Sequence, residues 1–206
     1  MRGRESGMPD IELWEEFFDP GEVVLALSDS DKRDRCVEFG CGYGTFTIAS
    51  AALDDVEKIV SLDIDDTMIA TTRRRLAGKH EHKVTLELRD FVTHGSGLPD
   101  DWADWAMVFN LLHIESPMDL LAEARRVLRP GGTLALLHWR DDIVTPRGPS
   151  LSIRPSRQQC QRWAAEAGFE IIQTPSFDRN PWHWGLKLRA SMRRELPMSS
   201  IGLDHQ

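Results

Sequence analysis

Apolar residues follow two different periodicities along this chain. Over residues 10–27 they recur at roughly helical spacing, and Pro20-Gly21 interrupts the pattern, so we predict a helical start and a second short helix over 23–27. From residue 35 onward, short apolar runs alternate with segments of helical character. The runs predict strands at 35–40, 58–64, 84–89, 105–112 and 133–139. Helices are predicted at 45–53, 65–76 and 116–128, with a shorter segment near 98–102.

Several element boundaries carry a chemical marker. Asp65 or Asp66 can cap the helix after the second strand, and Ser116-Pro117 supplies an N-cap followed by proline in the first helical turn. The Arg-Pro-Gly-Gly string at 129–132 is expected to end a helix and turn the chain into the next strand. Alternation of apolar strands with helices indicates a parallel sheet covered on both faces.

The last third of the chain breaks this alternation. A helix is predicted at 156–168, and it is followed by strands at 169–175 and 183–190 that only a turn-rich connection separates. Two strands without an intervening helix should pair antiparallel. The sequence therefore predicts an α/β fold whose sheet closes with a C-terminal hairpin.

Composition narrows the class of protein. The chain has 206 residues, 41% hydrophobic and 28% charged, and a net charge of −8, so a single full-sized domain is expected and nonspecific nucleic-acid binding is disfavoured. The cysteines Cys36, Cys41 and Cys160 form no even framework and no C-x-x-C pair, which favours reduced thiols. No apolar run reaches membrane-spanning length. We therefore expect a cytoplasmic protein without membrane, nucleic-acid or metal partners.

Three glycines, Gly40, Gly42 and Gly44, follow the first predicted strand at alternate positions. Glycine lets the backbone turn sharply and lets a ligand lie where a Cβ would collide. A loop that opens a helix also points free N–H groups at a ligand. In a dinucleotide-binding G-x-G-x-x-G the third glycine would come one residue later, where this chain has Thr45. The loop indicates either a ligand site or a tight strand–helix turn.

Polar residues also mark the ends of later strands. Asp63 closes the second strand, where an acidic side chain can accept hydrogen bonds from both hydroxyls of a ribose. Alternatively, Asp63 only caps the next helix, although Asp65 and Asp66 already suit that role. Because such an acid also occurs in NAD-binding folds, it indicates a nucleoside ligand without choosing which one.

The string Glu38-Phe-Gly40-Cys-Gly42-Tyr-Gly44 resembles motif I of the class I S-adenosylmethionine-dependent methyltransferases. Strings similar to the later motifs of this family follow in its order, at 61–65, 88–91, 108–113 and 128–134. The resemblance covers roughly 34–168. It implies a three-layer αβα, Rossmann-like fold with a mostly parallel seven-stranded sheet in the order 3-2-1-4-5-7-6. It also implies a single domain over 10–195, including a helical lid at 10–33, between a flexible leader at 1–9 and a flexible tail at 196–206.

The same resemblance implies S-adenosylmethionine as cofactor, with S-adenosylhomocysteine as product. It places the glycine loop under the methionine part, Glu38 near the charged amino end, and Asp63 on the ribose. Asp90 would accept from the adenine amino group, beside the Phe91 backbone. The implied cofactor-binding residues are Glu38, Gly40, Gly42, Gly44, Asp63, Ile64, Asp90, Phe91 and Asn110.

Several methyltransferase subclasses lack their motif here. The string at 110–113 has no proline pair of the kind that adenine-amino enzymes carry, and none of the three cysteines follows a proline, as cytosine-C5 enzymes require. The cysteines are also not placed as in arsenic methyltransferases. A small-molecule methyl acceptor is the best remaining class. His113 and His138 each lie where the fourth or fifth strand ends, so either is a candidate general base, or a hydrogen-bonded structural residue.

The acceptor site is expected above the ends of strands four and five. The segment after Trp139 interleaves arginines with prolines, so it predicts either a rigid clamp for a carboxylate or phosphate on the acceptor, or a solvated connection whose arginines pair with surplus acids. The aromatic face of the N-terminal helix either forms a lid over the methyl donor or only packs against the rest of the domain. Candidate acceptor-site residues are Trp14, Phe18, Trp139, Arg140, Arg147 and Arg154.

Four functions stay open at this point. The first is methyl transfer to an O, N or S atom of a small metabolite by a monomer or homodimer. The second is an S-adenosylmethionine-binding module without catalysis. The third is a nicotinamide-dependent oxidoreductase, which predicts a glycine where Thr45 stands. The fourth is a methyltransferase that acts on a protein side chain.

Overall fold

A computed structural model describes residues 10–28 and 33–192 of the chain. The predicted leader at 1–9, the predicted tail at 196–206 and positions 29–32 of the predicted lid lie outside the described residues. The helices are α1 (Ile11–Glu15), α2 (Pro20–Leu27), α3 (Thr45–Ala51), α4 (Asp66–Leu76), α5 (Pro117–Val127) and α6 (Arg157–Glu166). The strands are β1 (Arg35–Phe39), β2 (Lys58–Asp63), β3 (Val84–Leu88), β4 (Ala103–Phe109), β5 (Leu128–Trp139), β6 (Phe169–Gln173) and β7 (His183–Ala190). Short 3-10 turns occur at Glu81–Lys83 and Leu151–Ile153.

All seven strands form one sheet in the order β3-β2-β1-β4-β5-β7-β6. The first five pair in parallel, whereas β7 pairs antiparallel with both β5 and β6. This confirms the Rossmann-like fold and the C-terminal hairpin. The parallel order brings the carboxyl ends of β1, β2 and β4 to the same edge of the sheet, on either side of the glycine loop.

Two hydrophobic cores cover the two faces of the sheet. One includes Val37, Val108 and Leu120 and lies against α5 and α6, and the other includes Leu27, Phe46 and Trp105 and lies against α2 and α3. Strand β4 is buried along its whole length, as expected for a central strand of a doubly covered sheet. None of the helices in the described ranges has the length and apolar character needed to cross a bilayer.

The structure corrects several predicted boundaries. Residues 98–102 form no helix, because Pro99 lies in the segment and Asp101 adopts a left-handed φ of 55°. Instead, Arg126 of α5 anchors the segment by donating from Nη2 to the Leu98 carbonyl at 2.8 Å. Strand β5 starts directly after α5, so 129–132 is an irregular stretch within β5, where the pairing with β4 shifts register.

The N-terminal segment is attached to the far end of the chain. Helix α2 begins at Pro20, earlier than predicted, because the Asp19 side chain accepts the Glu22 N–H at 2.9 Å and caps it. The Asp19 N–H donates to the Asn180 side chain at 2.9 Å, and Glu22 accepts the backbone N–H of Asp178 at 2.7 Å. The described part of the predicted lid is therefore held against the β6–β7 connection.

Candidate functional site

The glycine loop is a tight left-handed turn fixed to β2. Gly40, Gly42 and Gly44 have φ values of 77°, 53° and 75°, a region that glycine enters without the strain other residues carry. The Gly40 N–H donates to the Leu62 carbonyl at 2.8 Å. A Cβ on Gly44 would lie 2.6 Å from Cγ2 of Thr72. The glycine spacing is therefore required by backbone conformation and by the close approach of α4.

Asp63, at the carboxyl end of β2, connects this loop to α4. Its Oδ2 accepts the Gly42 N–H at 2.8 Å, and its Oδ1 accepts the Asp65 N–H at 2.9 Å. Burial raises the pKa of the Asp63 carboxyl, and the two amide hydrogen bonds partly oppose that rise. A carboxylate has about four acceptor positions, so Asp63 keeps acceptor capacity for a ligand donor. The helix cap is Asp65, which accepts the Thr67 N–H at 2.9 Å.

Glu38 lies beneath the loop in a network of hydroxyl groups. Its Oε2 accepts hydrogen bonds from Thr47 of α3 and from Ser61 of β2, the latter at 2.7 Å. Burial raises the pKa of Glu38 to about 7, although both hydroxyl donors favour the ionised form. The carboxyl group therefore joins three elements around the loop. Its predicted contact with the amino end of a cofactor stays a prediction.

The residues predicted to surround an adenine lie at the ends of β2 and β3. Ile64 is half-buried beyond Asp63. Asp90 accepts the Thr93 N–H at 2.9 Å and so closes the turn after β3. The Phe91 ring is buried and packs against Phe39 with ring centroids 5.4 Å apart, so only its backbone is available to a ligand.

Asn110 ends β4 in a left-handed conformation, with φ of 56°. Its N–H donates to the Leu137 carbonyl at 2.7 Å, which holds the turn against β5. Its side-chain oxygen Oδ1 is buried and has no hydrogen-bond partner within the described residues. A non-glycine residue with positive φ and an unsatisfied buried acceptor is a marker of a functional site.

The two candidate catalytic histidines lie in contact. Nδ1 of His113 is 3.3 Å from Nε2 of His138, and Nδ1 of His138 is 3.1 Å from the Trp139 carbonyl oxygen. His138 is fully buried, and burial lowers its pKa to about 3, whereas His113 is half-buried. His138 is therefore neutral at physiological pH and has no surface on which to meet an acceptor.

The predicted aromatic acceptor wall is mostly core. Trp139 is 1% exposed, and Phe18 is 7% exposed against it, with ring centroids 5.9 Å apart. Trp14 is half-buried and lies near Tyr43 of the glycine loop, with centroids 6.3 Å apart. His183 packs on Trp139 at 4.1 Å between centroids. Of the predicted aromatic residues, Trp14 alone has the exposure that contact with an acceptor needs.

The arginines of the predicted clamp have other partners. Arg140 forms a two-pronged ion pair with Asp142, at 2.9 and 2.7 Å. Arg154 donates to the carbonyl oxygens of Pro149, Arg140 and Arg147, at 2.7, 2.7 and 3.1 Å. The guanidinium groups of Arg140 and Arg154 therefore have partners within the loop after β5, and the predicted clamp on an acceptor stays a prediction. Arg147 remains exposed.

Sequence reasoning missed two contributors to this site. Thr47 completes the Glu38 network, and Thr72 donates to the Gly42 carbonyl at 2.8 Å. Both are wholly buried polar residues on helices that pack on the sheet, and such a placement on an otherwise apolar helix face is the signal that could have found them. His183 is also buried, and neither ring nitrogen has a partner within the described residues.

The sequence profile of a family described as a methyltransferase domain matches residues 37–136, which include the glycine loop, Asp63, Asn110 and His113, one of the two catalytic candidates. The fold agrees with this match. A crystal structure of an S-adenosylmethionine-dependent methyltransferase from Aquifex aeolicus superposes with a TM-score of 0.72 and 19% sequence identity, covering 85% of this chain and 91% of that one. Residues 37–136 are therefore similar to a methyltransferase domain, and the fold around them is the one seen in S-adenosylmethionine-dependent methyltransferases.

Curated relatives share only part of their length with this chain. A protein of unassigned function encoded in transposon TN4556 of Streptomyces fradiae is 32% identical over 166 residues, which are 72% of this chain and 47% of that protein. A demethylmenaquinone methyltransferase from Shouchella clausii (strain KSM-K16) is 28% identical over 110 residues, or 50% of this chain and 44% of that enzyme. The chain thus spans about half the length of the curated relatives it matches.

The hydrogen-bond acceptors around the glycine loop fit S-adenosylmethionine, the cofactor that the sequence motifs imply. S-adenosylmethionine presents hydrogen-bond donors at its ammonium group, its two ribose hydroxyls and its adenine amine. Asp63 presents two acceptor oxygens, and Asn110 adds a buried acceptor that lacks a partner within the described residues. Both acceptors flank the glycine loop at the carboxyl edge of the sheet, where ligands of this fold class bind.

Proposed function

We propose that this protein transfers the methyl group of S-adenosylmethionine to an O, N or S atom of a small metabolite. The observation that carries the proposal is the arrangement around the glycine loop. Acceptor oxygens of Asp63 and Asn110 flank the loop, and His113 follows β4 at the same edge of the sheet. The groups for cofactor recognition and the candidate proton acceptor therefore lie at the same edge of the sheet.

The bound cofactor would supply an electrophilic methyl group on a sulfonium, which is already an excellent leaving group. The protein has to hold the acceptor atom in line, exclude water and remove a proton where the acceptor carries one. Trp14 and the closed loop after β5 would contribute the walls. His113 would accept the proton, since imidazole is the usual general base near neutral pH.

A small acceptor is favoured over a macromolecular one. The net charge of −8 disfavours a nucleic-acid acceptor. In the loop after β5, Arg154 donates to carbonyl oxygens of the loop itself, so the loop has few hydrogen-bond donors left for a long partner. The demethylmenaquinone methyltransferases among the relatives are named for a small-molecule substrate. Because Arg140 and Arg154 are engaged elsewhere, an anionic acceptor is supported by Arg147 alone.

Calorimetry of S-adenosylmethionine and S-adenosylhomocysteine, with NAD as the competing nucleotide, tests the cofactor side. We expect both adenosyl ligands to bind and NAD not to bind. Asp63→Asn should weaken binding by about 1–3 kcal/mol, because an acceptor for a ribose hydroxyl loses its charge. Asp66→Asn, an equal charge change at the exposed first turn of α4, is the matched control and should bind as wild type does.

The acceptor side is tested by release of S-adenosylhomocysteine in the presence of pooled small metabolites, compared with pooled proteins. Turnover with the metabolite fraction supports the proposal. Turnover with proteins alone would overturn it and indicate a methyltransferase that acts on a protein side chain. Tight cofactor binding without turnover on either pool would support the non-catalytic binding module instead.

A further inference from the structure

His113 and His138 form a directed chain of hydrogen bonds across two neighbouring strands. His113 follows β4, and His138 lies in β5 beside the Phe109–Leu137 pair of the parallel ladder. The two rings meet edge to face, with centroids 5.5 Å apart and planes inclined by 73°. Trp184 of β7 stacks on the other side of His138, with centroids 5.8 Å apart. The His138 ring, in β5, is therefore held by His113 from the segment after β4 and by Trp184 of β7.

The donor and acceptor roles in this chain follow from its last member. The Trp139 carbonyl oxygen can only accept, so Nδ1 of His138, 3.1 Å away, carries the proton. His138 is neutral, so its Nε2 has a lone pair and accepts. The contact of 3.3 Å between that nitrogen and Nδ1 of His113 then requires Nδ1 of His113 to be the donor. In neutral His113 the lone pair consequently lies on Nε2.

We propose that His138 is a positioning residue that holds His113 in the Nδ1–H tautomer, so that Nε2 of His113 accepts the proton of the methyl acceptor. The proposal rests on the proposed methyl transfer. The acceptor's bond to hydrogen breaks and its proton passes to Nε2. The electron pair of that bond stays on the acceptor atom, which forms the new bond to the methyl carbon while the thioether product leaves with the electrons of the broken carbon–sulfur bond.

Burial of His138 suits it to this role. After proton transfer, His113 is an imidazolium whose Nδ1–H still needs an acceptor, and a protonated His138 could not provide one. The position of His138 between His113 and Trp184, with no exposed surface, keeps the imidazole uncharged. A neutral imidazole thus takes the orienting position that a carboxylate holds in serine-enzyme triads.

Nitrogen-15 NMR of the histidine side chains in the cofactor-free protein tests the relay directly. Seven histidines are present, and the His113 signals are assigned by their loss in His113→Phe. We expect both His113 and His138 in wild type to be protonated on Nδ1 and unprotonated on Nε2. Either residue showing the opposite tautomer would overturn the proposal, and this outcome is independent of cofactor binding or of any acceptor.

Three variants separate positioning from support of the fold. His138→Phe keeps an aromatic ring against Trp184 but removes the acceptor, so the Nδ1–H population of His113 should fall. His138→Gln restores an acceptor oxygen near the former Nε2 and should restore that population. His183→Phe removes a buried histidine from the opposite face of the same strand ends and should leave His113 unchanged. An unchanged His113 tautomer in His138→Phe would overturn the relay, and if that variant does not fold, the wild-type and glutamine spectra still decide.

Kinetics on an acceptor from the metabolite pool complete the test. His113→Phe should lose on the order of 10²-fold or more in kcat, the usual contribution of a general base. His138→Phe should lose part of that rate, and His138→Gln should recover most of it at unchanged cofactor affinity. Equal losses in the phenylalanine and glutamine variants would mean that His138 acts only through packing.

Discussion

The buried Glu38 carboxyl should make the stability of the fold depend on pH between about 4.5 and 7. Burial raises the pKa of Glu38 in the folded chain from 4.5 to about 7, whereas in the unfolded chain the group is solvated. Between these two values the folded state binds more protons than the unfolded state. The free energy of unfolding therefore falls as the pH rises through this range, and Glu38 adds no pH dependence below or above it.

The size of the effect follows from the same pKa values. A rise from 4.5 to about 7 corresponds to about 3 kcal/mol of stability lost on full ionisation, at about 1.4 kcal/mol per pH unit. This is a large share of the roughly 5–15 kcal/mol that stabilises an ordinary domain. The Thr47 and Ser61 hydroxyl donors already limit the loss, because they favour the ionised carboxylate.

Urea unfolding at a series of pH values from 4 to 8 measures this term as the difference between wild type and Glu38→Gln. Because glutamine does not ionise, the stability of wild type relative to the variant should fall by up to about 3 kcal/mol across the series. Glu57→Gln, at an exposed position before β2, controls for the loss of one carboxylate. Ser61→Ala removes a donor to the ionised form, so it should extend the decline to higher pH. A difference between wild type and Glu38→Gln that stays constant with pH would refute the reasoning.

Two further substitutions test the loops that frame the site. Gly44→Ala should cost clearly more stability than Gly78→Ala, since both glycines have φ near 75° but a Cβ on Gly44 would lie 2.6 Å from Thr72 whereas one on Gly78 would meet nothing within 4 Å. The strain common to both is about 1–2 kcal/mol, so equal losses in urea unfolding would show that Thr72 moves aside freely. Arg154→Lys should expose the loop after β5 to limited proteolysis, because lysine cannot reproduce three guanidinium hydrogen bonds to carbonyl oxygens. Arg147→Lys, at an exposed side chain of the same loop, should leave the cleavage rate unchanged, and equal cleavage of both variants would contradict the assigned role of Arg154.

The parts of the fold that local sequence determines were predictable. Apolar runs located all seven strands, and the signal is strongest for β1, β2 and β4, which are buried on both faces and have few polar positions. The absence of a helix between the last two strands predicted the hairpin. The predicted helix at 98–102 was wrong because Asp101 and the contacts of Arg126 hold that connection in an irregular form, and neither feature shows in apolar spacing.

The roles of individual polar side chains were less predictable, because they depend on which strands become neighbours. His113 and His138 are equivalent in sequence, each at the end of an apolar run. Only the pairing of β4 with β5 brings them into contact, and only the cover of Trp184 from β7 makes one of them fully buried. Likewise, whether Arg140 pairs with Asp142 or with a methyl acceptor depends on the closed shape of its loop.

The two sides of the site differ in how their polar groups are used, and this has a consequence for specificity. On the cofactor side, a hydrogen-bond acceptor such as Asn110 Oδ1 has no partner within the described residues, so a ligand can donate a hydrogen bond to it. On the side where we propose that the methyl acceptor binds, Arg154 donates to three carbonyl groups of its own loop, and Trp139 is packed beneath it at 5.9 Å. A wall whose polar groups satisfy one another selects mainly by shape and apolar contact, because it has few donors to offer. Discrimination among acceptors should therefore respond more to Trp14→Ala, which changes the shape near the glycine loop, than to Arg140→Ala, which removes an ion pair internal to the loop.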